Sequence, residues 1–198
     1  MGKSSAVAKD GAGNYEFRVW GAHKQARKLL RQIADDHYTE DIEDCYLVSE
    51  DATWNAKVRD DTLKIKQLIS ERKGFEMWSS DRHRTAKATP SPFVEVFGQM
   101  RLDRPQRGKS FDIEKAVKRL DPDAGVRAVF VTKRRLRYRV GALQAEVTDI
   151  TVTETGEVLR TLSIEGDDLD DLKALRKKLG LKGEPNVAVH QAIDAETS

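Results

Sequence analysis

The chain has 198 residues, 38% of them hydrophobic and 34% charged, and 35 Lys and Arg against 33 Asp and Glu leave a net charge of +2. That balance excludes the gross basic excess of a non-specific nucleic-acid binder, and the length suits one large domain or two small ones. The only cysteine, Cys45, rules out an intramolecular disulfide and a cysteine-rich metal site, and no run approaches the ~18 apolar residues of a membrane span.

Residues 1–13 read as a flexible tail without the apolar core of a signal peptide, which with the lone cysteine fits a cytoplasmic protein. Asn14–Trp20 alternates, with Tyr15, Phe17 and Val19 on one face and Asn14, Glu16 and Arg18 on the other, as a strand requires. Residues 23–36 place Ala26, Leu29, Leu30 and Ile33 at helical spacing. Residues 44–48 form a strand in which Cys45 packs in the core.

Residues 54–66, WNAKVRDDTLKIK, predict two short strands joined at Asp60-Asp61. Lys57 and Arg59 share a face of the first, and Lys64 and Lys66 share a face of the second. Like charges facing one another across a strand pair are destabilising, so such a face calls for water or an anion.

Residues 75–78 form another short strand. Residues 79–92, with Arg82, His83, Arg84, Pro90 and Pro92, predict a loop: a basic lid or an ordinary surface loop. Residues 93–100 fit a strand or a short helix, 101–109 a basic loop, and 112–120 a helix capped by Asp112. Three strands follow at 127–140, 143–152 and 157–165. The first carries Lys133, Arg135, Arg137 and Arg139 on one face; Arg137 and Arg139 lie late on the strand, where facing solvent is the simpler reading, and Arg139 is left out of the candidate site. Residues 167–179 predict a helix with Leu169, Leu172, Leu175 and Leu179 as its stripe, ended by Gly180. His23, His37, His83 and His190 lack ligand spacing and read as surface residues, while Trp54 and Trp78 read as covers on the barrel.

Antiparallel strands with alternating faces and a few packed helices predict an α+β or barrel architecture. A single domain over residues 14–193 and a short tail at 194–198 are expected.

The order Asn14-x-Glu16-x-Arg18, Lys57-x-Arg59, Lys64-x-Lys66, Lys133-x-Arg135, Glu146 and Glu165 resembles the CYTH family, the triphosphate tunnel metalloenzymes. DCYL before the basic hairpin and SIEGDDLDDLKALRKKLGL near the C-terminus add to the resemblance, which spans roughly residues 14–193. It implies an α+β fold with a closed antiparallel β-barrel of about eight strands, whose polar tunnel binds a triphosphate-containing small molecule and hydrolyses it with Mg²⁺ or Mn²⁺. The implied phosphate clamp is Arg18, Lys57, Arg59, Lys64, Lys66, Lys133, Arg135 and Arg137. Glu16, Glu146 and Glu165 are the implied metal ligands, and Glu16, Glu165 and Arg59 the implied catalytic groups. Asp149 is a spare acid nearby. Arg offers a planar fork to phosphate oxygens and Lys a point charge, while a hard divalent ion prefers carboxylates and water.

Asn14 and Ser163 stand where the family pattern has acids, which thins the metal-binding half. Inorganic triphosphate is the expected substrate, with thiamine triphosphate an organic counterpart. A catalytically weakened polyphosphate- or nucleotide-binding module and a class IV-type adenylate cyclase are the alternatives. The simpler reading of Glu16 and Glu165 is pairing with Arg18 or Arg135 inside a polar barrel. No specific nucleic acid, no membrane and a monomer or homodimer complete the expectation.

Overall fold

A computed structural model of the protein describes residues 14–49, 53–60, 62–79, 81–84 and 126–197, with backbone alone for 81–84. The expectations for 1–13, 93–100, 101–109 and 112–120 lie outside the described residues. The strands are β1 Asn14–Trp20, β2 Asp36–Ser49, β3 Trp54–Arg59, β4 Thr62–Arg72, β5 Phe75–Trp78, β6 Asp81–Arg84, β7 Val126–Val140, β8 Leu143–Val152 and β9 Val158–Gly166. The helices are α1 Lys24–Ile33, α2 Leu169–Lys178 and α3 Val189–Thr197.

The strands run in the order β3-β2-β7-β8-β9-β1-β5-β4, and a β3–β4 pairing closes the ring. Every pairing is antiparallel. The result is the expected α+β fold with a closed eight-stranded barrel. The ninth strand, β6, adds to β4 through Thr62↔Arg84 to Ile65↔Asp81, so residues 81–84 are a strand and not the loop the sequence suggested.

Alternation sorts the side chains. Phe17 and Val19 of β1, Ala145 and Val147 of β8, and Leu162 and Ile164 of β9 point outward. There they meet Ala26 and Leu30 of α1 and Leu172 and Leu175 of α2 in one buried cluster. Asp168 caps α2 by accepting from the amides of Asp170 at 2.8 Å and Asp171 at 3.0 Å. Gly180, with φ +72°, takes the left-handed conformation that ends the helix.

Spans besides β6 differ from the sequence reading too, and the helix expected over 23–36 ends at Ile33. The strand expected at 44–48 reaches back to Asp36, because β7 is long enough to pair with it from Asp36↔Arg139 to Ser49↔Val126. The expected tail at 194–198 is helical through Thr197, and Arg127 ties it down with a 2.6 Å ion pair to Asp194.

That helix also shapes the interior. Val189 and Ile193 of α3 pack on Tyr46, Val48, Val129, Val131, Ile150 and Val152. These six share the inward faces of their strands with Asp44, Lys133 and Glu146. One end of the barrel is therefore apolar and closed by α3, and the polar interior is a cup. The segment leading into α3 lies along β1, where Asn186 Oδ1 accepts from the Arg18 amide at 2.7 Å and the Val187 amide donates to the Arg18 carbonyl at 3.1 Å. β5 covers β1 only from Asn14 to Glu16, so residues 186–187 satisfy the edge that it leaves.

Candidate functional site

Inward-facing positions converge on a cavity of about 630 Å³. All eight expected clamp residues line it: Arg18 on β1, Lys57 and Arg59 on β3, Lys64 and Lys66 on β4, and Lys133, Arg135 and Arg137 on β7. Glu16, Glu146 and Glu165 line it too, with Asn14, Ser163 and Gln144. Ala188, Val189 and Ile150 contribute its apolar floor. Closing a barrel brings side chains from distant strands onto one wall, which is how a scattered sequence set becomes one site.

Strand register dictates the ion pairs. Lys57 faces Lys64 across the hairpin, as the sequence implied. The neighbouring strand moderates that repulsion: Cys45↔Val58 places Asp44 beside Arg59. The Asp44 carboxylate, 0% exposed, accepts from Arg59 Nε at 2.5 Å and Nη2 at 2.7 Å. It also lies 3.0 Å from Lys133 Nζ and 3.5 Å from Lys57 Nζ. Burial would push the Asp44 carboxyl up, but the Arg59 hydrogen bonds and the two lysines hold it far below the usual range. The Tyr46 hydroxyl accepts from Lys133 and, at 3.5 Å, from Lys57. Burial lowers Lys133 to about 8 against the pull of Asp44, and burial together with Lys133 lowers Lys57 well below an ordinary lysine.

Glu16 accepts from Arg18 Nη2 at 3.0 Å and Lys66 Nζ at 3.1 Å. Burial raises its carboxyl, yet Lys66 and Arg18 bring it down to about 2. Glu146 binds Arg135 through Nε at 2.9 Å and through Nη2, and accepts from Thr148 at 2.6 Å. Ser163 stands directly between Arg18 and Glu146 in the register, and Arg18 Nη2 lies 4.0 Å from Glu146. Glu40 holds the far side of Arg135 at 2.8 Å. Arg137 donates to Tyr38 and Gln144 and lies 3.8 Å from Glu165. Burial and the nearby Glu16 raise the Glu165 carboxyl.

The simpler reading of Glu16 matches the geometry, since Arg18 is its direct mate. Glu146 pairs with Arg135 in the same manner. As the carboxylates stand, they do not make a ready site for Mg²⁺ or Mn²⁺. Two are engaged by basic groups, and among the described residues no three acidic, imidazole or thiol groups come together to hold a metal ion.

Asp149 lies on the outer face, 3.6 Å from Arg27 and 3.4 Å from Arg160, away from the cavity. Arg139, 60% exposed, pairs with Asp35 outside the cup, as the solvent-facing reading implied. Cys45 is buried, and burial with the Asp44 charge raises its thiol to about 12. Trp78 corrects the reading of an outer cover: its even position on β5 turns it inward, where it lines the cavity. His190 is 2% exposed and meets Trp78 edge-on at 5.7 Å, so it is a buried residue and not the surface one expected.

Sequence reasoning missed Asp44, Tyr46 and Glu76. The signal for the first two was present: in DCYLVS, Asp44 and Tyr46 share a strand face that no solvent-facing alternation explains. Glu76 lies directly opposite Glu16, and its Oε2 accepts from Trp78 Nε1 at 3.1 Å.

No family model matches the chain, and no curated protein matches its sequence. Solved structures do match in shape. The PH1012 protein of Pyrococcus horikoshii aligns at TM-score 0.52 and 16% identity, covering 90% of this chain and 98% of that one. A conserved hypothetical protein of Pyrococcus furiosus aligns at TM-score 0.51 and 16% identity, with 90% and 99% coverage. A Hippeastrum protein named as an adenylyl cyclase, with a dominant triphosphatase activity, aligns at TM-score 0.50 and 14% identity, with 93% and 96% coverage. At these identities the likeness establishes a shared fold: the chain has the barrel of these proteins along nearly all of their length.

Proposed function

We propose that the protein is a member of the triphosphate tunnel group and binds a triphosphate-containing small molecule in the cup of its barrel. The observation that carries this reading is the convergence of eight Lys and Arg side chains on one cavity of about 630 Å³. A polyanion supplies counter-charge to such a wall, and rigid strands present the donors without a large ordering cost. The fold shared with a protein of triphosphatase activity supports the same ligand class.

Hydrolysis of an inorganic or organic triphosphate is a second reading. The observation favouring it is that Glu16 and Glu165 stand directly opposite one another beside the bases, and that the Glu165 side chain, which lines the cavity, remains 33% exposed. Phosphoryl transfer is catalysed by positioning and charge neutralisation, which the cationic wall provides.

Calorimetric titration with tripolyphosphate tests the binding reading. Saturable binding is expected, weakened at least about tenfold by Lys66→Met through loss of a charge-assisted contact. Absence of binding to a folded wild-type chain would overturn it. Phosphate release from tripolyphosphate, thiamine triphosphate and ATP, with Mg²⁺, with Mn²⁺ and with EDTA, decides the second reading.

A further inference from the structure

Three carboxylates and eight basic side chains line the cavity. Each carboxylate has a basic neighbour. Glu16 holds Arg18 at 3.0 Å and Lys66 at 3.1 Å, Glu146 holds Arg135 at 2.9 Å, and Glu165 lies 3.8 Å from Arg137. A divalent cation at Glu16 and Glu146 would have to strip a guanidinium or ammonium from each. It would then stand inside a wall of like charge, where the repulsion is poorly screened. A polyanion faces the opposite situation. Its oxygens compete with Glu16 and Glu146 for cations already positioned on rigid strands, and every hydrogen bond that a phosphate oxygen accepts from them is charge-assisted.

We propose that the cavity takes its polyphosphate as the free anion and not as a divalent-metal complex, with Glu16 and Glu146 acting as internal counter-ions that the phosphate oxygens displace. The inference rests on the reading of the cavity as a polyphosphate site. Without ligand, Glu16 bridges Arg18 and Lys66, and Glu146 engages Arg135. In the complex those cations turn to phosphate. The role given to Glu16 is therefore opposite to that of a metal ligand, since its negative charge opposes binding of the anion.

Titration calorimetry of the full chain with tripolyphosphate, once in EDTA and once in millimolar Mg²⁺ or Mn²⁺, tests this. Binding in EDTA at least as tight as with metal is expected. Binding tighter by tenfold or more with metal would overturn the inference while leaving the polyphosphate site in place. No binding in either condition would overturn the underlying reading, and the inference with it. Glu16→Gln keeps the shape and frees Arg18 and Lys66, so affinity in EDTA is expected to rise about tenfold. A fall would overturn the counter-ion role. If thermal melting shows Glu16→Gln to be unfolded, Glu146→Gln takes its place with the same expected sign, releasing Arg135.

Discussion

Asp44 and Arg59 form a forked ion pair inside the barrel, with Nε–Oδ1 at 2.5 Å and Nη2–Oδ2 at 2.7 Å. The same carboxylate faces Lys133 and Lys57. One buried acid thus organises three of the eight cations in the cup. Breaking a buried charge cluster by removing one member costs about 3–5 kcal/mol, because the remaining charges are left without compensation. Asp44→Asn is therefore expected to lower stability by that order in urea unfolding, and tripolyphosphate is expected to restore much of the loss. A variant as stable as wild type would show that Asp44 is not the counter-ion.

Proton linkage should accompany binding. Burial lowers Lys133 to about 8, and Lys57 is shifted the same way. A lysine depressed below its ordinary value of 10.5 penalises the folded state below its folded pKa, and the penalty fades as pH rises toward 10.5. A bound polyphosphate favours the charged forms. Above about pH 8 binding should then take up protons, and affinity should fall as pH rises further. Calorimetry at pH above 8 in buffers of different ionisation enthalpy measures the uptake. Buffer-independent heats there would contradict it.

Glu76 carries a separate pH signature. Burial raises its carboxyl from 4.5 to about 7, although the Trp78 hydrogen bond opposes the shift. The folded state therefore binds this proton more tightly than the unfolded chain does. The contribution is fully present below about 4.5 and is lost as pH rises to about 7. Glu76→Gln keeps an acceptor for Trp78 and removes that loss. It is expected to be more stable than wild type above pH 7 by up to about 3 kcal/mol, and no different near pH 4. Parallel stability–pH curves for the two proteins would sink this assignment.

Asn186 links the closed end of the cup to β1. Its Oδ1 accepts from the Arg18 amide at 2.7 Å. Asn186→Ala leaves that amide without its side-chain acceptor, at a cost of about 1–3 kcal/mol. Faster hydrogen exchange at Arg18, without change at the β8–β9 ladder, is the expected readout. Unchanged exchange at Arg18 would show that the segment is not needed there.

Much of the barrel was legible because strand alternation is a local signal. β1, the β3–β4 hairpin, β7, β8 and β9 follow from period-two patterns, and so does the inward set of bases. Information carried only by register was not legible. Asp44 looks like one acid in an apolar strand until β3 and β7 are placed on either side of it. Glu76 gains meaning only when β5 lies against β1. The inward turn of Trp78 depends on which face of a four-residue strand meets the cavity, and four residues give little periodicity to read. The burial of His190 and the role of α3 depend on a weakly amphipathic terminal helix folding back over the apolar end of the barrel. The strand patterns put the bases on one face with Glu16 beside Arg18, but the pairing of Glu146 with Arg135 belongs to the three-dimensional arrangement.

The central claim is that the cup recognises a chain of phosphates and not merely negative charge. Thermal unfolding at matched ionic strength with tripolyphosphate, pyrophosphate, orthophosphate and sulfate tests it most directly. Ligand at 100 times its dissociation constant stabilises a fold by about 2.7 kcal/mol. The melting temperature is expected to rise most with tripolyphosphate, less with pyrophosphate and little with the single-centre anions. Equal shifts for all four, or none for tripolyphosphate, would contradict the assignment of the barrel interior as a triphosphate site.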